Sequence, residues 1–187
     1  MALKRFTVDG YGQLELNNVA FRRDGRVEAQ CALSTTDFKD APAENGMLLA
    51  VDNVTRTVKF ATGTDLPVAL NYTTEHMYDD RHNALKDFCV KATDDFMPRL
   101  GYLAVGDKFT TNCVCYNQAE TGGFTNDAAV VTAAGAIATT PLYGTTSTVG
   151  AIQLTATKPT SGIVLLVTAY TTMPDGTPGF KFQVLAV

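Results

Sequence analysis

"GAIQLTATKPTSGIVLLVTAYTTMPDGTPGFKFQVLAV", residues 150–187, decides the fold class. Three runs of alternating or apolar residues, 150–157, 162–170 and 179–187, are separated by "KPTSG" and "TTMPDGTPG". Those separators are dense in Pro, Gly and Asp, which preset or tolerate the dihedral angles of tight turns. Three strands are therefore expected, the last tied into a sheet up to the end of the chain. "GIVLLVTAY" is the longest apolar run, yet it falls far short of the roughly 20 residues a membrane helix needs. It reads as a buried strand. The expected class is mainly β with one or two short helices, arranged as a β-barrel or β-sandwich.

Working outward, the charge distribution is uneven. Of 15 Lys/Arg and 19 Asp/Glu in 187 residues, only Lys158, Lys181, Glu120, Asp127 and Asp175 lie after residue 110. Threonine, Ala, Val and Gly take the place of charge. Such a shift suggests two units, a β-rich domain over 1–117 and a Thr/Ala/Val-rich half over 118–187, with "NQAETGGFTN" (117–126) as the hinge. A charge-poor, Thr-rich half suits a subunit interface, where charged residues are depleted. Charged substitutions in that half, such as Thr155→Lys and Val167→Lys, are expected to disturb assembly or folding. The net charge of −4 leaves no basic excess to neutralise phosphates, so nucleic acid is not an expected partner. Within 118–187, "NDAAVVTAAGAIA" (126–138) reads as a short helix begun by Asn126.

The first half carries strand signals too. "RVEAQCAL" (26–33) alternates Val27, Ala29, Cys31 and Leu33 against polar residues, the period of a half-buried strand. Asp24-Gly25 just before it predicts a two-residue hairpin turn. Leu14 and Leu16 are out of phase with Val19 and Phe21, which places a bulge or break at Asn17-Asn18. "GMLLAVDNVTRTVKFAT" (46–62) predicts a hairpin around Asp52-Asn53, and "PVALNYT" (67–73) another strand. Val105-Gly106-Asp107 predicts a corner leading into a strand near Lys108.

"EHMYDDRH" (75–82) concentrates both histidines with three carboxylates. As a helix over 75–91, it places Met77, Tyr78, Ala84, Leu85, Phe88 and Cys89 on one apolar face. His76 and Asp80 then lie on the opposite, wet face, with His82 at its edge. The two histidines are six apart and cannot share a metal as an i, i+4 pair does. Two exposed ligands without a third do not hold zinc, and an exposed His76 lacks the pocket and partner of a general base.

"TTNCVCYN" (110–117) reads as one strand, with Cys113 and Cys115 on the same face as Phe109 and Thr111. At i, i+2 their Cα atoms stand roughly 6.5–7 Å apart, poor for a disulfide. Cys-x-Cys is not a zinc knuckle, so these two, with Cys31 and Cys89, are expected as reduced, core-packed thiols. None of Ser34, Ser147 and Ser161 sits in a nucleophile elbow, and no phosphate loop or dinucleotide fingerprint occurs. No catalytic, cofactor-binding or metal-ligating residue is assigned. The opening "MALKRFTVDG" lacks the apolar stretch of a secretory signal.

In "MALKRFTVDGYGQLELNNVAFRRDGRVEAQCAL" (1–33), "LGYLAVGDKFTTNCVCY" (100–116) and the strand-only tail, the chain resembles small β-rich virion proteins of tailed bacteriophages. The resemblance implies a capsid decoration (cement) protein, non-catalytic, assembled in the host cytoplasm and located in the virion. Its implied partners are further copies of itself, a trimer above all, and the major capsid protein, with no membrane partner. Other readings are a tail, neck or head-fibre component, a carbohydrate-binding β-sandwich, and a metalloprotein using Cys113, Cys115 and His76.

Overall fold

The computed structural model describes residues 3–26, 29–61, 66–73, 84–94 and 96–187. In chain order it begins with β1 (Leu3–Arg5), β2 (Leu14–Asn18), helix α1 (Ala20–Arg23), β3 (Ala32–Leu33) and β4 (Ala43–Glu44). There follow β5 (Leu48–Asp52), β6 (Thr57–Phe60), β7 (Val68–Asn71), a 3-10 turn (Ala84–Asp87), β8 (Cys89–Val90), β9 (Leu100–Gly101), β10 (Lys108–Thr111) and β11 (Val114–Asn117). The remainder holds helix α2 (Asp127–Gly135), β12 (Tyr143–Thr145), β13 (Ile152–Thr155), β14 (Val164–Thr172) and β15 (Pro178–Ala186). The protein is mainly β, as its alternation and turn signals require.

An eight-stranded sheet runs β1-β11-β13-β12-β14-β15-β10-β2, a five-stranded sheet runs β3-β6-β5-β7-β9, and β4 pairs β8 apart from both. The smaller sheet closes on itself. Ala29 exchanges backbone hydrogen bonds with Leu100 of β9 (3.3 and 3.2 Å), and just beyond it Ala32 and Leu33 pair in parallel with β6. One extended segment, 29–33, thus touches both edges and makes a small barrel. Its alternation is as expected: Ala29, Cys31 and Leu33 are buried, while Gln30 and Ala32 are exposed.

Each sheet has its own core, and β11 lies between them. Val114 and Tyr116 join Phe109, Phe180, Phe182 and Val130. Cys113 and Cys115 join Cys31, Leu49, Val51 and Val58 in the barrel core. A strand buried on both faces reads as a continuous buried run rather than an alternation, and β11 is buried throughout. Helix α2 covers part of the first core with Val130 and Ala134. Asn126 caps it by accepting from the Ala129 N–H (2.9 Å), as predicted. Asp127 anchors its first turn, accepting from the Tyr116 hydroxyl (2.7 Å) and the Thr7 N–H (3.3 Å).

The fall in charge after residue 110 marks no break in the sheet. The strands β12 to β15 occupy its centre, flanked by β1 and β11 on one side and β10 and β2 on the other. Each of these strands turns one face to the core, where an unpaired charge is costly. That position accounts for part of the charge depletion. Val167 is an example: only 2% exposed, it belongs to the core and not to an interface. Thr155 is half-buried.

Other expectations are corrected. Asp24-Gly25 terminates α1 instead of turning a hairpin. The Arg26 N–H bonds to the Phe21 C=O (2.8 Å) and the Gly25 N–H to the Arg22 C=O (3.1 Å). This is a Schellman C-cap, with Gly25 at φ +68° supplying the left-handed residue that motif needs. A short sequence signal for positive φ serves a helix end as well as a hairpin, and Phe21 selects the helix by packing on Tyr72 (centroids 4.8 Å apart). Phe21 also covers Gly101, where a Cβ would stand 2.5 Å from its ring. The break in β2 is a bulge, with Leu16 and Asn17 together opposite Phe109, one residue earlier than expected.

The helix expected over 75–91 does not extend through its described end. His76, Asp80 and His82 lie outside the described residues, as does the whole of 75–83. From Ala84 the chain forms a 3-10 turn and then β8, whose Cys89 and Val90 pair with Glu44 and Ala43. Pairing with β4 supplies backbone partners that override the local helical pattern. "TTNCVCYN" is likewise two strands, because the chain bends at Asn112-Cys113. Cys113 and Cys115 keep a common face, but Phe109 belongs to the opposite core.

The hairpin around Asp52-Asn53 is present, with Asp52 paired to Thr57 across a turn over 53–56. The Asp52 carboxylate accepts from the Val54 and Thr55 N–H groups (both 3.0 Å) and from the Lys59 ammonium (2.8 Å). Lys59 first, and then these turn donors, hold its pKa far below the ordinary 3.8. A group depressed on folding stabilises fully above its unfolded value and loses that contribution as pH falls toward its folded one. Asp52→Asn is therefore expected to flatten the acid limb of the stability curve below about pH 4 without changing its neutral shape. Urea midpoints for both proteins at pH 5 and pH 2.5 check this; identical acid losses would exclude the role.

Candidate functional site

The chemically richest cluster among the described residues lies where β1, β4 and β11 meet. Strand pairing sets Arg5 opposite Cys115 and Glu44 opposite Cys89. The Arg5 guanidinium donates from Nη2 to Glu44 Oε2 (2.7 Å) and from Nη1 to Cys113 Sγ (3.1 Å). Glu44 Oε2 also accepts from the Gly12 N–H (2.6 Å). Side-chain exposure is 31% for Arg5 and 13% for Glu44, so the pair is largely withdrawn from water. Next to it, the neighbouring Cys89 thiol raises the pKa of Tyr11.

The electrostatics of this cluster oppose nucleophilic chemistry. Burial pushes the Cys113 thiol up to about 12, the nearby Arg5 only partly offsetting it. Burial likewise pushes Cys115 up to about 11. The reactive species is the thiolate, so both sulfurs are inert near neutral pH. For Arg5, burial alone would lower the pKa, but Cys113 and Glu44 outweigh it and the value is raised. The guanidinium stays charged and occupied.

All four cysteines are free; Cys31, Cys113 and Cys115 are buried as expected, whereas Cys89 is only half-buried. Among the described residues no group of three or more His, Cys, Asp or Glu is arranged to hold a metal ion. A thiol reagent at pH 7.5 is expected to modify Cys89 first, with the three buried thiols at least about 100-fold slower because they react only through opening. Mass spectrometry of the partly labelled protein reads this directly; fast labelling of Cys113 would contradict the buried cluster.

Two clefts add little chemistry. One of about 780 Å³ is lined mainly by Leu66, Pro67, Val68, Leu103, Ile163 and Val187, with Tyr102 and Thr146 as polar groups. A smaller one, about 320 Å³, is bordered by Tyr11, Thr35, Lys39, Asp40 and Lys91.

The second notable feature is a charge-poor set of exposed residues on α2 and β14. Between Asp127 and Asp175 the only charged residue is Lys158. Ala128, Thr132, Gly135, Ala136, Thr139 and Thr140 are exposed on and after α2, and Thr168, Thr171 and Thr172 are exposed on β14. Threonine richness after residue 110 marked this surface in the sequence. Nothing local marked the Arg5–Glu44 pair, whose partners come from different sheets and meet only through tertiary pairing.

No protein-family model matches the chain, and neither a curated protein nor a solved structure matches it.

Proposed function

We propose that this chain is a non-catalytic structural protein of a tailed-bacteriophage virion, a capsid decoration protein that associates with copies of itself and with the major capsid protein. The observation that carries the reading is the charge-poor, Thr- and Ala-rich set of exposed residues on α2 and β14, on a fold with two packed cores. Covering hydroxyl and methyl groups costs far less desolvation than covering ammonium or carboxylate groups. Interface centres are depleted in charge for that reason. The Arg5–Glu44–Cys113 cluster, with its guanidinium and carboxylate already occupied, supports a packing role for that polar chemistry.

The test is imaging of labelled protein on phage particles, with Thr132→Lys/Thr139→Lys beside the wild type. Density over the head lattice, and head binding weakened at least about tenfold by the charged variant, are the expected results. Label at the neck or tail would replace decoration by another virion role. No association with particles would overturn the virion reading. A carbohydrate-binding role is the second reading, favoured by the 320 Å³ cleft that sets the Tyr11 and Phe38 rings beside Lys39, Asp40 and Lys91. It requires glycan binding that is lost in Tyr11→Ala.

A further inference from the structure

The long strand β14 outruns its neighbour. β12 pairs with it only at Leu165 and Leu166, and the last bond on that side runs from the Val167 N–H to the Leu142 C=O (2.9 Å). Beyond this point β14 continues to Thr172, paired only with β15. Thr168 is a bulged residue, set between the Val167–Phe182 and Ala169–Lys181 pairs, and a bulge of this kind adds twist to the strand.

The direction of each backbone group in the overhang follows from the hairpin end. The Met173 N–H donates to the Thr177 C=O (2.7 Å), so Met173 and Thr177 form a hydrogen-bonded pair. Antiparallel ladders alternate. Thr171 opposite Gly179 is therefore hydrogen-bonded, while Thr172 opposite Pro178 and Tyr170 opposite Phe180 are not. Pro178 has no N–H to give, which agrees with this phase. Tyr170 and Thr172 consequently direct both N–H and C=O away from β15. Among the described residues no backbone or side-chain group bonds to them there.

Sheet edges of this kind template the addition of a further strand, and proteins usually block them with charge or proline. Here neither charge nor proline stands within Tyr170–Thr172, the first of each being Pro174 and Asp175 in the hairpin turn, and Thr171 and Thr172 are exposed. We propose that the β14 edge, Tyr170–Thr172, pairs antiparallel with the same edge of a second copy about a two-fold axis at Thr171. In that register each Tyr170 lies opposite a Thr172 of the other copy, and both exchange N–H and C=O bonds. Thr171 faces its own counterpart, a Thr–Thr pair favourable across strands. The edge is self-complementary in hydrogen bonding and brings no like charges together, although each copy carries a net charge of −4. A second copy of this chain is the occupant that satisfies both conditions. The contact is isologous and builds dimers or even-numbered assemblies, not the trimer implied by the resemblance. The inference rests on the self-assembly part of the proposed function and specifies its contact.

The test uses the full chain in native mass spectrometry across a range of concentrations. Thr171→Lys and Thr171→Asp each place like charges across the axis, on a side chain that makes no hydrogen bond among the described residues. The wild type is expected to be dimeric, each variant monomeric, and an equimolar mixture of the two a one-to-one heterodimer. Thr172→Pro removes an outward N–H without breaking a bond to β15, and is expected to weaken dimerisation at least about tenfold. Circular dichroism confirms folding. In the wild type, deuterium exchange at the Tyr170 and Thr172 amides should slow as the dimer forms. Unchanged assembly in all three variants overturns the edge contact while leaving self-assembly through another surface. A monomeric wild type with fast exchange at both amides overturns the contact too, and head binding by that monomer would still support decoration.

Discussion

Phe180→Ala is expected to destabilise the protein by about 3–5 kcal/mol, the range for truncating a fully buried phenylalanine. Phe180 is 0% exposed. Its ring meets Phe6 edge-on (centroids 5.5 Å, 89° between planes) and Tyr170 at 5.4 Å. The Phe6 contact joins the segment after β1 to the β14–β15 hairpin, and the Tyr170 contact braces the hairpin itself. Removing the ring leaves a void bounded by several strands, which cannot all move inward without breaking ladder bonds. For a domain of this size the loss corresponds to a fall in Tm of about 6–20 °C. Phe180→Leu, which refills most of the volume, should cost less than half as much. Chemical denaturation of the three proteins measures both values. A loss below about 1 kcal/mol in the alanine variant would mean that the site collapses freely and is no keystone.

The second large effect is expected at the Arg5–Glu44 pair. Glu44→Ala removes the carboxylate that holds both the Arg5 guanidinium and the Gly12 N–H. It leaves a mostly buried cation facing a neutral Cys113 thiol. Breaking one side of a buried pair costs about 3–5 kcal/mol; because Arg5 keeps 31% exposure, about 2–4 kcal/mol is expected here. The partner prediction is sharper. Arg5→Met/Glu44→Met should recover much of the loss, since an apolar replacement of a buried pair is often neutral. A double-mutant cycle of urea-unfolding free energies isolates the coupling. Additive single effects would show that the two side chains contribute independently.

Legibility in the sequence followed the range of the interactions involved. The β5–β6 hairpin, the β13, β14 and β15 strands, and the Asn126-capped helix were all readable, because turn residues, alternation and caps act within a few positions. Gly25 shows the limit of such signals. Its need for positive φ was visible, but whether that residue ended a helix or turned a hairpin depended on Phe21 reaching Tyr72. Cys89 and Val90 show the same limit more strongly, since a helical apolar pattern gave way to pairing with β4. Within the candidate site, buried cysteines were foreseeable from residue type. Arg5 reaching Glu44 and Cys113 was not, because no local pattern specifies contacts between distant strands.

By itself the sequence determined the mainly β class, the positions of most strands and turns, and the concentration of uncharged residues after residue 110. Those depend on side-chain alternation, dihedral preference and composition, all of which are local. Only the tertiary structure decided that 29–33 closes a barrel, that strands from both halves of the chain interleave in one sheet, and that β14 overruns β12. Strand order and register are set by which distant backbone groups find each other and which faces then bury together, and that is a property of the packed whole.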